Sequence, residues 1–355
     1  MPGRQNGNDG VALAKLTSKK IAELAGVSVS TVSIVLNNKN GVSQETRARI
    51  LSLLSENGIT PKASARKQAE KHGTIRFFRL RKHGNIVNER HNDFLADYIC
   101  GIVDEAKVHG YVVEVTTSDL NSFDSLFSDL SRNSNISGCI ILSTELDLED
   151  VMRFSTLPIP HVFLDACFDE VEENFVTMDN VGMIRSALSR LIGLGHERIT
   201  MFSATSCKNF DDRHEAYLKT MEEHSFKSEV VNVHSTLNAA YEDTLMFLSG
   251  KDKSQLPTAI LTSNDVIAFG AVKALLNRGY SIPGDVSVVG FDDLPMSSLL
   301  EPQLSSLSVP KIAMGRAAVD LLVSRMEGKN PQVGEKRYMY GPLVERQSIS
   351  VPREP

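Results

Sequence analysis

Residues 16–58 read LTSKKIAELAGVSVSTVSIVLNNKNGVSQETRARILSLLSENG. Apolar residues recur in this stretch at three- and four-residue spacing, which predicts three short helices. Thr17, Ser28 and Ser43 precede these helices, and a hydroxyl at that position can cap a helix N-terminus. Gly26 can form the left-handed turn that ends the first helix. The residues predicted to face inward are Ile21, Leu24 and Ala25 in the first helix, Val32, Val35 and Leu36 in the second, and Ala48, Leu51 and Leu54 in the third.

The first two predicted helices have the spacing of a helix-turn-helix. Ala22 is small enough to let the helices approach, Gly26 permits the turn, and the valines bury the inner side of the second helix. Plain three-helix bundles share this spacing, so spacing alone leaves both alternatives open. In a helix-turn-helix the outer side of the second helix lies in the major groove of DNA. That side carries Val29, Ser30, Ser33, Ile34 and Asn37.

The composition is that of an ordinary soluble protein. The chain has 355 residues, enough for two or three domains. No apolar run approaches the roughly 20 residues of a membrane helix, and residues 1–15 lack the apolar core of a signal peptide. The four cysteines lie far apart without a Cys-x-x-Cys pair, which argues against a disulfide framework or a cysteine zinc site. We therefore expect a cytoplasmic protein without membrane contact.

Charge is distributed unevenly along the chain. The net charge is −6, yet residues 15–72 contain ten Lys and Arg against four Glu. A basic N-terminal part on an acidic body suggests an anionic partner for that part alone. A basic face that only meets solvent would give the same charge, so this feature supports such a partner without deciding it.

The residue identities in the same stretch say more than its spacing. The segments AGVSVSTVS (25–33), VLNN (35–38) and GVSQETRARI (41–50) strongly resemble the head of the LacI/GalR family of bacterial transcription regulators. The resemblance implies a helix-turn-helix DNA-binding domain at residues 15–58, after a flexible tail at residues 1–14. It also implies a homodimer that binds a palindromic operator in double-stranded DNA.

The resemblance implies roles for individual residues of the head. Val29, Ser30 and Ile34 stand where the family reads bases. Ile34 departs from the family, which often has Arg or His there, so it can contact a thymine methyl group but cannot donate a hydrogen bond to a base. The positions that contact phosphates, and so fix register without reading sequence, are Thr17, Ser28, Thr31, Ser33 and Asn37.

Residues 59–73, ITPKASARKQAEKHG, join the head to the rest of the chain. In isolation this short basic segment is typical of a disordered linker. Its Pro-x-Ala-x-Ala-Arg start resembles the family's hinge helix, which implies docking in the minor groove through Arg66 and Lys67. Gln68 stands where the family usually inserts a leucine between base steps, and a polar side chain there predicts weaker kinking of the duplex.

Residues 74–355 alternate short apolar strands with amphipathic helices. This pattern predicts two doubly wound parallel-sheet lobes, with a ligand cleft at the carboxyl ends of the strands. The fold class is therefore an all-α helix-turn-helix head joined to an α/β body. The predicted strands are 75–78, 111–115, 139–142, 161–164, 175–178, 199–202, 229–233, 259–262 and 286–291, and the predicted helices include 94–109, 183–194, 214–223, 267–278 and 312–326.

Polar residues follow many of these strands, and for any one of them a helix cap or a turn is the ordinary explanation. The segments DRHEAY (212–217), SNDVIAFGAVKAL (263–275) and VSVVGFDDL (286–294) again resemble the LacI/GalR family, whose lobes are like those of periplasmic sugar-binding proteins. The resemblance implies an effector-binding and dimerisation domain with an effector between its lobes. The implied contacts are Phe94, Asp165, Asp179, Arg213, Asn264 and Asp292.

The residue types at these positions favour a small hydroxyl-rich effector, a sugar or sugar derivative. Carboxylates accept hydrogen bonds from hydroxyls, and an arginine can hold a ring oxygen or a carboxylate by two bonds. The segment HSTLNAAY (234–241) lacks an aromatic residue where the family often flanks its ligand, which disfavours a flat purine. Basic residues within 76–91 hint at an acidic or phosphorylated sugar, with a solvated or DNA-facing loop as the equal alternative.

Two other classes of function compete with regulation. No nucleotide-binding glycine loop, nucleophile elbow or His-Glu-x-x-His motif occurs, so we expect no catalysis, no cofactor and no metal site. A sugar-binding protein without regulatory DNA binding is the alternative function, and it would not need the head. We therefore expect a transcription repressor whose operator affinity is controlled by its effector.

Replacing Ile34 by Arg tests the position of the recognition helix. An arginine there can donate two hydrogen bonds to a guanine, so we expect the sequence preference to change by about 1–3 kcal/mol at one position per half-site. Selection from a randomised operator library measures this preference. An unchanged preference would mean that the helix is placed wrongly.

Overall fold

The structure, a computed structural model, describes residues 18–36, 42–56, 73–84, 86, 92–120, 123–132, 135–205, 207–329 and 334–353. The chain forms two compact units, residues 1–70 and 71–355. The predicted tail at residues 1–14, and all but the last residue of the predicted hinge at 59–73, lie outside the described residues. Within the described ranges, every helix is too short or too polar to cross a bilayer.

The N-terminal unit contains the three predicted helices, α1 (Ser18–Ala25), α2 (Val29–Leu36) and α3 (Gln44–Glu56). The Ser28 hydroxyl caps α2 by accepting a hydrogen bond from the Thr31 backbone N–H at 3.1 Å. Ser43 caps α3 in the same way, through the Thr46 N–H at 3.3 Å. Gly26 has a φ of +63°, the left-handed conformation that the turn between α1 and α2 requires.

The small core of this unit corrects the predicted inner faces at three positions. Leu24 is 53% and Leu51 38% exposed, and Ala48 is exposed as well. α3 instead buries Ile50 and packs the half-buried Leu53 against the core. Apolar residues occupy adjacent positions of α3, so packing against α1 and α2, rather than spacing alone, selects its inner face. The buried core residues are Ile21, Ala22, Ala25, Val32, Val35 and Ile50, and the side chains of Leu36 and Leu54 lie outside the described residues.

The C-terminal unit consists of two six-stranded sheets, which confirms the predicted α/β body of two lobes. In spatial order the first sheet contains β11 (Lys336–Met339), β5 (Phe175–Met178), β4 (His161–Asp165), β3 (Ile136–Leu142), β1 (Thr74–Arg81) and β2 (Val112–Asp119). The second contains β12 (Leu343–Val344), β10 (Ser305–Ser308), β9 (Ser287–Asp292), β8 (Ala259–Thr262), β6 (Ile199–Ser203) and β7 (Glu229–Asn232). Neighbouring strands are parallel except β10 and β12.

Helices connect the strands, as the repeated strand–helix pattern predicts. α4 packs on α11 beside the first sheet, and α9 packs on α10 beside the second. The bounds are α4 (Asn92–Val108), α5 (Phe123–Arg132), α6 (Leu148–Phe154), α7 (Asn180–Gly193), α8 (Lys208–Glu223), α9 (Leu237–Leu248), α10 (Asp265–Asn277) and α11 (Lys311–Met326), with short 3-10 helices at Lys253–Gln255 and Pro295–Ser298.

The nine predicted strands are present as β1 to β9, whereas β10, β11 and β12 were not predicted. β10 reads SSLS and looks like a polar loop, yet Ser305 and Ser306 are buried. Their polar groups are paired inside the protein: the Ser306 hydroxyl donates to Asp265 Oδ1 at 2.6 Å, and the Ser305 N–H donates to the Ser348 hydroxyl at 2.7 Å. Polar groups that are hydrogen-bonded can be buried at little cost. A buried strand such as β10 can therefore lack the hydrophobic pattern by which strands are predicted.

The chain passes between the two lobes three times. It leaves the first sheet after β5, returns after β10, and leaves again after β11 to form β12. α7, which follows β5, packs on α8 and β12 of the second lobe, and α11, which follows β10, packs on β3, β4 and β5 of the first. The two lobes are therefore joined by three neighbouring connections.

A buried glutamate fixes the loop that follows β1. The side chain of Glu145, which comes after β3, is 0% exposed. Its carboxylate accepts four backbone hydrogen bonds, from the N–H groups of Lys82 at 2.9 Å, His83 at 3.1 Å, Gly84 at 3.0 Å and Ile86 at 2.8 Å. Hydrogen bonds to an ionised acceptor are about twice as strong as neutral ones. Glu145 is therefore a clamp on this loop.

The Glu145→Gln variant tests the clamp, because it keeps the shape of the side chain but turns one acceptor oxygen into a donor. We expect the free energy of unfolding to fall by about 1–3 kcal/mol and amide exchange to accelerate in residues 82–86. Urea unfolding and mass-spectrometric hydrogen exchange measure the two effects. Glu149→Gln, at an exposed glutamate, is the matched control and should change neither. Unaltered exchange in residues 82–86 of Glu145→Gln would contradict the clamp.

Candidate functional site

A cavity of about 30 Å³ lies between the two lobes of the C-terminal unit. Its lining includes Asp165, the last residue of β4, and Asp292, the last residue of β9. Thr144 and Asn264, which closely follow β3 and β8, also line it. The carboxyl ends of strands from both sheets therefore meet at one point, as the doubly wound pattern predicts.

Asp165 connects the first lobe to the second. Its carboxylate accepts a hydrogen bond from the Tyr98 hydroxyl at 2.8 Å and another from Asn209 Nδ2, on α8 of the second lobe, at 3.0 Å. Burial raises the pKa of Asp165, and hydrogen bonds from Thr144 and Tyr98 together with the charge of Arg213 oppose this rise. The backbone of Asp165 has a φ of +97°, a conformation that aspartate adopts more readily than most residues.

Arg213 projects from α8 and is buried, with 2% exposure. Its Nε donates to Asn180 Oδ1 at 2.8 Å, and its Nη1 donates to the Ser263 carbonyl at 2.5 Å. The guanidinium carbon lies 3.5 Å from the centroid of the Phe291 ring. Asn180 also donates to Asn209 at 2.9 Å. These contacts hold the guanidinium in one orientation at the cavity.

Asp292 is buried and has a φ of +112°. Burial raises the pKa of Asp292 to about 8; the neighbouring charge of Asp265 adds to this rise, while those of Arg213 and Lys311 oppose it. Lys311 Nζ donates to the Asp292 backbone carbonyl at 2.6 Å and lies 5.2 Å from the centroid of the Phe94 ring. No described residue donates a hydrogen bond to the Asp292 carboxylate.

Two candidates at strand ends are helix caps, the ordinary explanation for such residues. Asn264 accepts a hydrogen bond from the Ile267 N–H at 2.9 Å and caps α10, yet it also lines the cavity. Asp179 accepts from the Gly182 N–H at 2.9 Å and caps α7, and it is not among the cavity residues. The structure therefore brings together five of the six predicted contacts: Phe94, Asp165, Arg213, Asn264 and Asp292.

The cavity also contains residues that sequence reasoning did not select. Asn209 and Phe210 lie on the first turn of α8, and Asn209 is four residues before Arg213, on the same helix face. That spacing is the signal that would have identified Asn209. Phe210 supplies an aromatic ring to the lining, although HSTLNAAY has none where the family often flanks its ligand. A flat ligand could therefore stack on an aromatic ring here, contrary to the expectation from that segment.

Three of the five basic residues within 76–91 that hinted at an acidic ligand form ion pairs away from the cavity, and Arg90 lies outside the described residues. Arg76 and Arg81 pair with acidic residues of β2, at 3.1 Å to Glu114 and 2.6 Å to Asp119. Lys82 Nζ lies 2.6 Å from Asp150 and also contacts Asp147. None of these three basic residues lines the cavity. Their charge is therefore balanced within the first lobe, away from the cavity.

The head presents most of its predicted DNA contacts on one helix. Val29 is 47% exposed, Ser30 and Ser33 are exposed, and Ile34 is half-buried. Ser28 is exposed at the N-terminus of α2, and its hydroxyl lies 2.9 Å from that of Thr31. The predicted contacts at Thr17, Asn37, Arg66, Lys67 and Gln68 lie outside the described residues.

Two family models match the chain. The model of the periplasmic binding protein-like domain matches residues 188–349, and the model of the bacterial regulatory proteins of the lacI family matches residues 17–62. The ribose operon repressor of Haemophilus influenzae is 27% identical over 340 residues, which cover 94% of this chain and 98% of that protein.

Two solved structures have a similar fold. The complex of the transcriptional regulator CelR with cellobiose gives a TM-score of 0.68 at 23% identity, covering 94% of this chain and 100% of that chain. The lac repressor dimer bound to operator and the anti-inducer ONPF gives a TM-score of 0.67 at 24% identity, covering 94% of this chain and 99% of that chain. At these identities the similarity concerns the fold alone.

The matches agree with the units of the structure. The lacI-family match contains all three helices of the N-terminal unit, and the binding-protein match contains the second sheet. The sequence relative named above is a transcription regulator rather than an enzyme, and it aligns along nearly its whole length. This chain belongs to the LacI family of bacterial DNA-binding transcriptional regulators.

Proposed function

We propose that α2 lies in the major groove of operator DNA and reads bases with Val29, Ser30 and Ile34. The exposure of Val29 and Ser30 at the start of the helix supports this role, because side chains there can reach base edges. Ile34 is half-buried and apolar, which suits contact with a thymine methyl group. The same helix buries Val32 and Val35, so its other side is held by the core.

The proposed phosphate contacts on this helix are Ser28, Thr31 and Ser33. Ser28 and Thr31 lie at the N-terminus of α2, where the helix dipole and unpaired N–H groups favour a phosphate. Thr17 and Asn37 would add further phosphate contacts. In the linker, Arg66 and Lys67 would dock in the minor groove, with Gln68 as a weak wedge. These five assignments come from the family resemblance.

We propose that the effector binds in the cavity between the lobes and is a small hydroxyl-rich molecule, a sugar or sugar derivative. One observation carries this proposal: four polar candidates converge on one buried space, namely Asp165, Arg213, Asn264 and Asp292. The Asp292 carboxylate accepts no hydrogen bond from the described residues, so a ligand hydroxyl can donate to it. Phe94 and Phe210 supply apolar surface for the C–H groups of a sugar ring.

The charges around the cavity fit both a neutral and an acidic or phosphorylated sugar derivative. Burial raises the pKa of Asp292 to about 8, so this carboxyl carries a proton at neutral pH, while Arg213 and Lys311 are the cations beside Asp165 and Asp292. Arg76, Arg81 and Lys82 pair with acidic residues of the first lobe instead. A negative group of the effector would therefore interact with Arg213 and Lys311 rather than with the basic residues of that loop.

We further propose that the protein is a cytoplasmic homodimer that represses transcription. One recognition helix covers only a few base pairs, so helix-turn-helix proteins of this type place two heads on a palindromic site. The C-terminal unit would supply the dimer contacts. Effector binding would then change operator affinity through the arrangement of the lobes.

Substitutions in the cavity test the effector site. A thermal-shift screen of sugars, sugar acids, polyols and nucleosides first identifies a ligand, which at 100 times its Kd should stabilise the protein by about 2.7 kcal/mol. We expect Arg213→Ala and Asp292→Ala each to weaken binding of this ligand by about 2–5 kcal/mol, because the loss of a buried hydrogen-bonding partner leaves the group opposite it unsatisfied. Operator binding in a gel-shift assay should remain, since the head is a separate unit.

Asp179→Asn is the matched control for these variants. It changes a carboxylate at another strand end that caps α7 outside the cavity, and Asn caps helices as well as Asp does. We expect it to retain the ligand response. If Arg213→Ala and Asp292→Ala respond like Asp179→Asn, the effector does not bind in this cavity.

The raised pKa of Asp292 makes stability depend on pH. The folded protein keeps this proton up to about pH 8, whereas the unfolded chain loses it near the ordinary value of 3.8. The resulting stabilisation is complete below the lower value and is lost as pH rises through the higher one. We expect the stability of Asp292→Asn relative to wild type to increase as pH rises between these two values. Above the higher value this difference in stability should stay constant. Urea unfolding at several pH values measures the difference, and a constant difference would contradict a buried protonated Asp292.

A further inference from the structure

A second cluster of polar side chains lies on the first lobe, away from the cavity, where α4 packs on α11. Glu105 is on the last turns of α4, His109 directly follows that helix, and Asp320 is on α11. His109 Nε2 lies 3.5 Å from Glu105 Oε1 and 3.3 Å from Asp320 Oδ1. These three atoms all lie within 4.8 Å of one another. One imidazole nitrogen therefore faces two carboxylates from two different helices.

The backbones beneath this cluster are in direct contact and hold it in place. A Cβ atom on Gly101 would lie 2.1 Å from the Ile312 carbonyl oxygen, and one on Gly315 would lie 2.4 Å from the Tyr98 carbonyl oxygen. The two helices can approach this closely only because both positions are glycine. Glu105 is one helical turn beyond Gly101 and so shares its face, which is turned toward α11. The close packing of the two helices therefore fixes the backbone positions from which Glu105 and Asp320 project.

Two further contacts fix the ends of the cluster. The His109 N–H donates to the Ala106 carbonyl at 3.1 Å, and Gly110 has a φ of +78° directly after it. This places the imidazole at the carboxyl end of α4, where the helix dipole favours a positive charge. On the neighbouring turn Arg316 pairs with Asp104 at 3.1 Å across the same two helices. Arg316 therefore pairs with Asp104, while Glu105 and Asp320 contact His109.

The distances from His109 to the two carboxylates match those between ligands of a tetrahedral zinc ion. Zinc binds histidine nitrogen at about 2.0–2.1 Å and carboxylate oxygen at about 2.0–2.2 Å, so two ligands of a tetrahedral ion lie about 3.3–3.5 Å apart. The distances from His109 to Glu105 and Asp320 are 3.5 and 3.3 Å. A neutral imidazole can donate its single proton to one carboxylate well, whereas a divalent ion binds all three groups at once. Motif searches miss this site because Asp320 lies far from His109 in the sequence.

We propose that Glu105, His109 and Asp320 bind a divalent transition-metal ion of the zinc type, with the fourth position open to water. His109 binds through Nε2 as the neutral imidazole, and each carboxylate contributes one oxygen. The ion joins α4 to α11, the helices that also carry Phe94 and Lys311 near the effector cavity. The site takes no ligand from the cavity, so this proposal stands apart from the effector proposal.

Metal binding by the full-length protein tests this inference directly. The protein is stripped with a chelator, and zinc chloride binding is measured by equilibrium dialysis with elemental analysis. All proteins carry Cys100→Ser, because Cys100 is an exposed thiol on α4 that can itself bind zinc. We expect His109→Ala and Asp320→Asn each to lose one tightly bound ion per chain, with affinity falling about tenfold or more. Cobalt(II) should give the intense visible absorption of a tetrahedral ion in the parent and lose it in both variants.

His234→Ala is the matched control. His234 also faces a carboxylate, because its Nδ1 lies 2.8 Å from Asp243. This ion pair has one carboxylate, whereas His109 faces two. Zinc binding that survives His234→Ala and is lost in His109→Ala and Asp320→Asn supports the site. Equal binding by the parent, His109→Ala and Asp320→Asn overturns it, as does equal loss in His234→Ala. Should His109→Ala fail to fold, Asp320→Asn decides the question, since its side chain is half exposed.

Discussion

The buried guanidinium of Arg213 is the contact on which the cavity between the lobes depends. It donates to Asn180, at the first connection between the lobes, and to the Ser263 carbonyl that follows β8. Its charge also opposes the rise in pKa of Asp165 and Asp292. Ionising a buried carboxyl is costly in a medium of low dielectric constant, so a fixed cation beside Asp165 and Asp292 lowers that cost for either one. The fold provides it from α8, and Asn209 on the same face of that helix adds the direct bond to Asp165.

The cavity between the lobes is small in this structure, and side chains of both lobes meet across it. About 30 Å³ accommodates one or two water molecules, because a single water needs about 10–15 Å³ by this measure. A sugar ring is larger, so its entry requires the lobes to separate or the lining side chains to move. The hydrogen bond from Asn209 to Asp165 crosses between the lobes and must break when they separate. A ligand changes the balance between such states only through different affinities for them.

Sequence reasoning predicted the elements that follow one periodic rule and missed those set by contacts between distant residues. Strands such as β8 and β9 are apolar and fully buried, and they were predicted. β10 was missed because its buried serines are satisfied by Asp265 and Ser348, which are distant in sequence. In the head, Leu24 and Leu51 have helical spacing but are exposed to solvent. The packing of the three short helices buries Ile50 of α3 instead.

The same distinction explains the candidate site. Parallel strands end at a common edge, so position made Asp165, Asn264 and Asp292 candidates, and the family resemblance then selected them as effector contacts. Asp179 also follows a strand, but it caps α7 and does not line the cavity, which its position in the sequence does not reveal. Asn209 and Phe210 come from the start of a helix and follow no strand. Their place beside Arg213 depends on how α8 lies across the lobe interface, which no local pattern encodes.

Burial disfavours the ionised forms of Asp165 and Asp292 in the cavity. Binding of a ligand beside them is therefore linked to their protonation. Asp165 and Asp292 have positive φ values of +97° and +112°, conformations that cost a non-glycine residue about 1–2 kcal/mol and are typical of functional sites. Burial also raises the pKa of Asp292 to about 8. A hydroxyl that donates to this carboxylate would stabilise its ionised form and lower its pKa, so we expect binding of such a ligand to release protons near neutral pH. A ligand that only accepts hydrogen bonds would instead keep the proton in place. If Asp292 contacts the effector as proposed, it would therefore distinguish hydroxyl donors from acceptors by their effect on its charge.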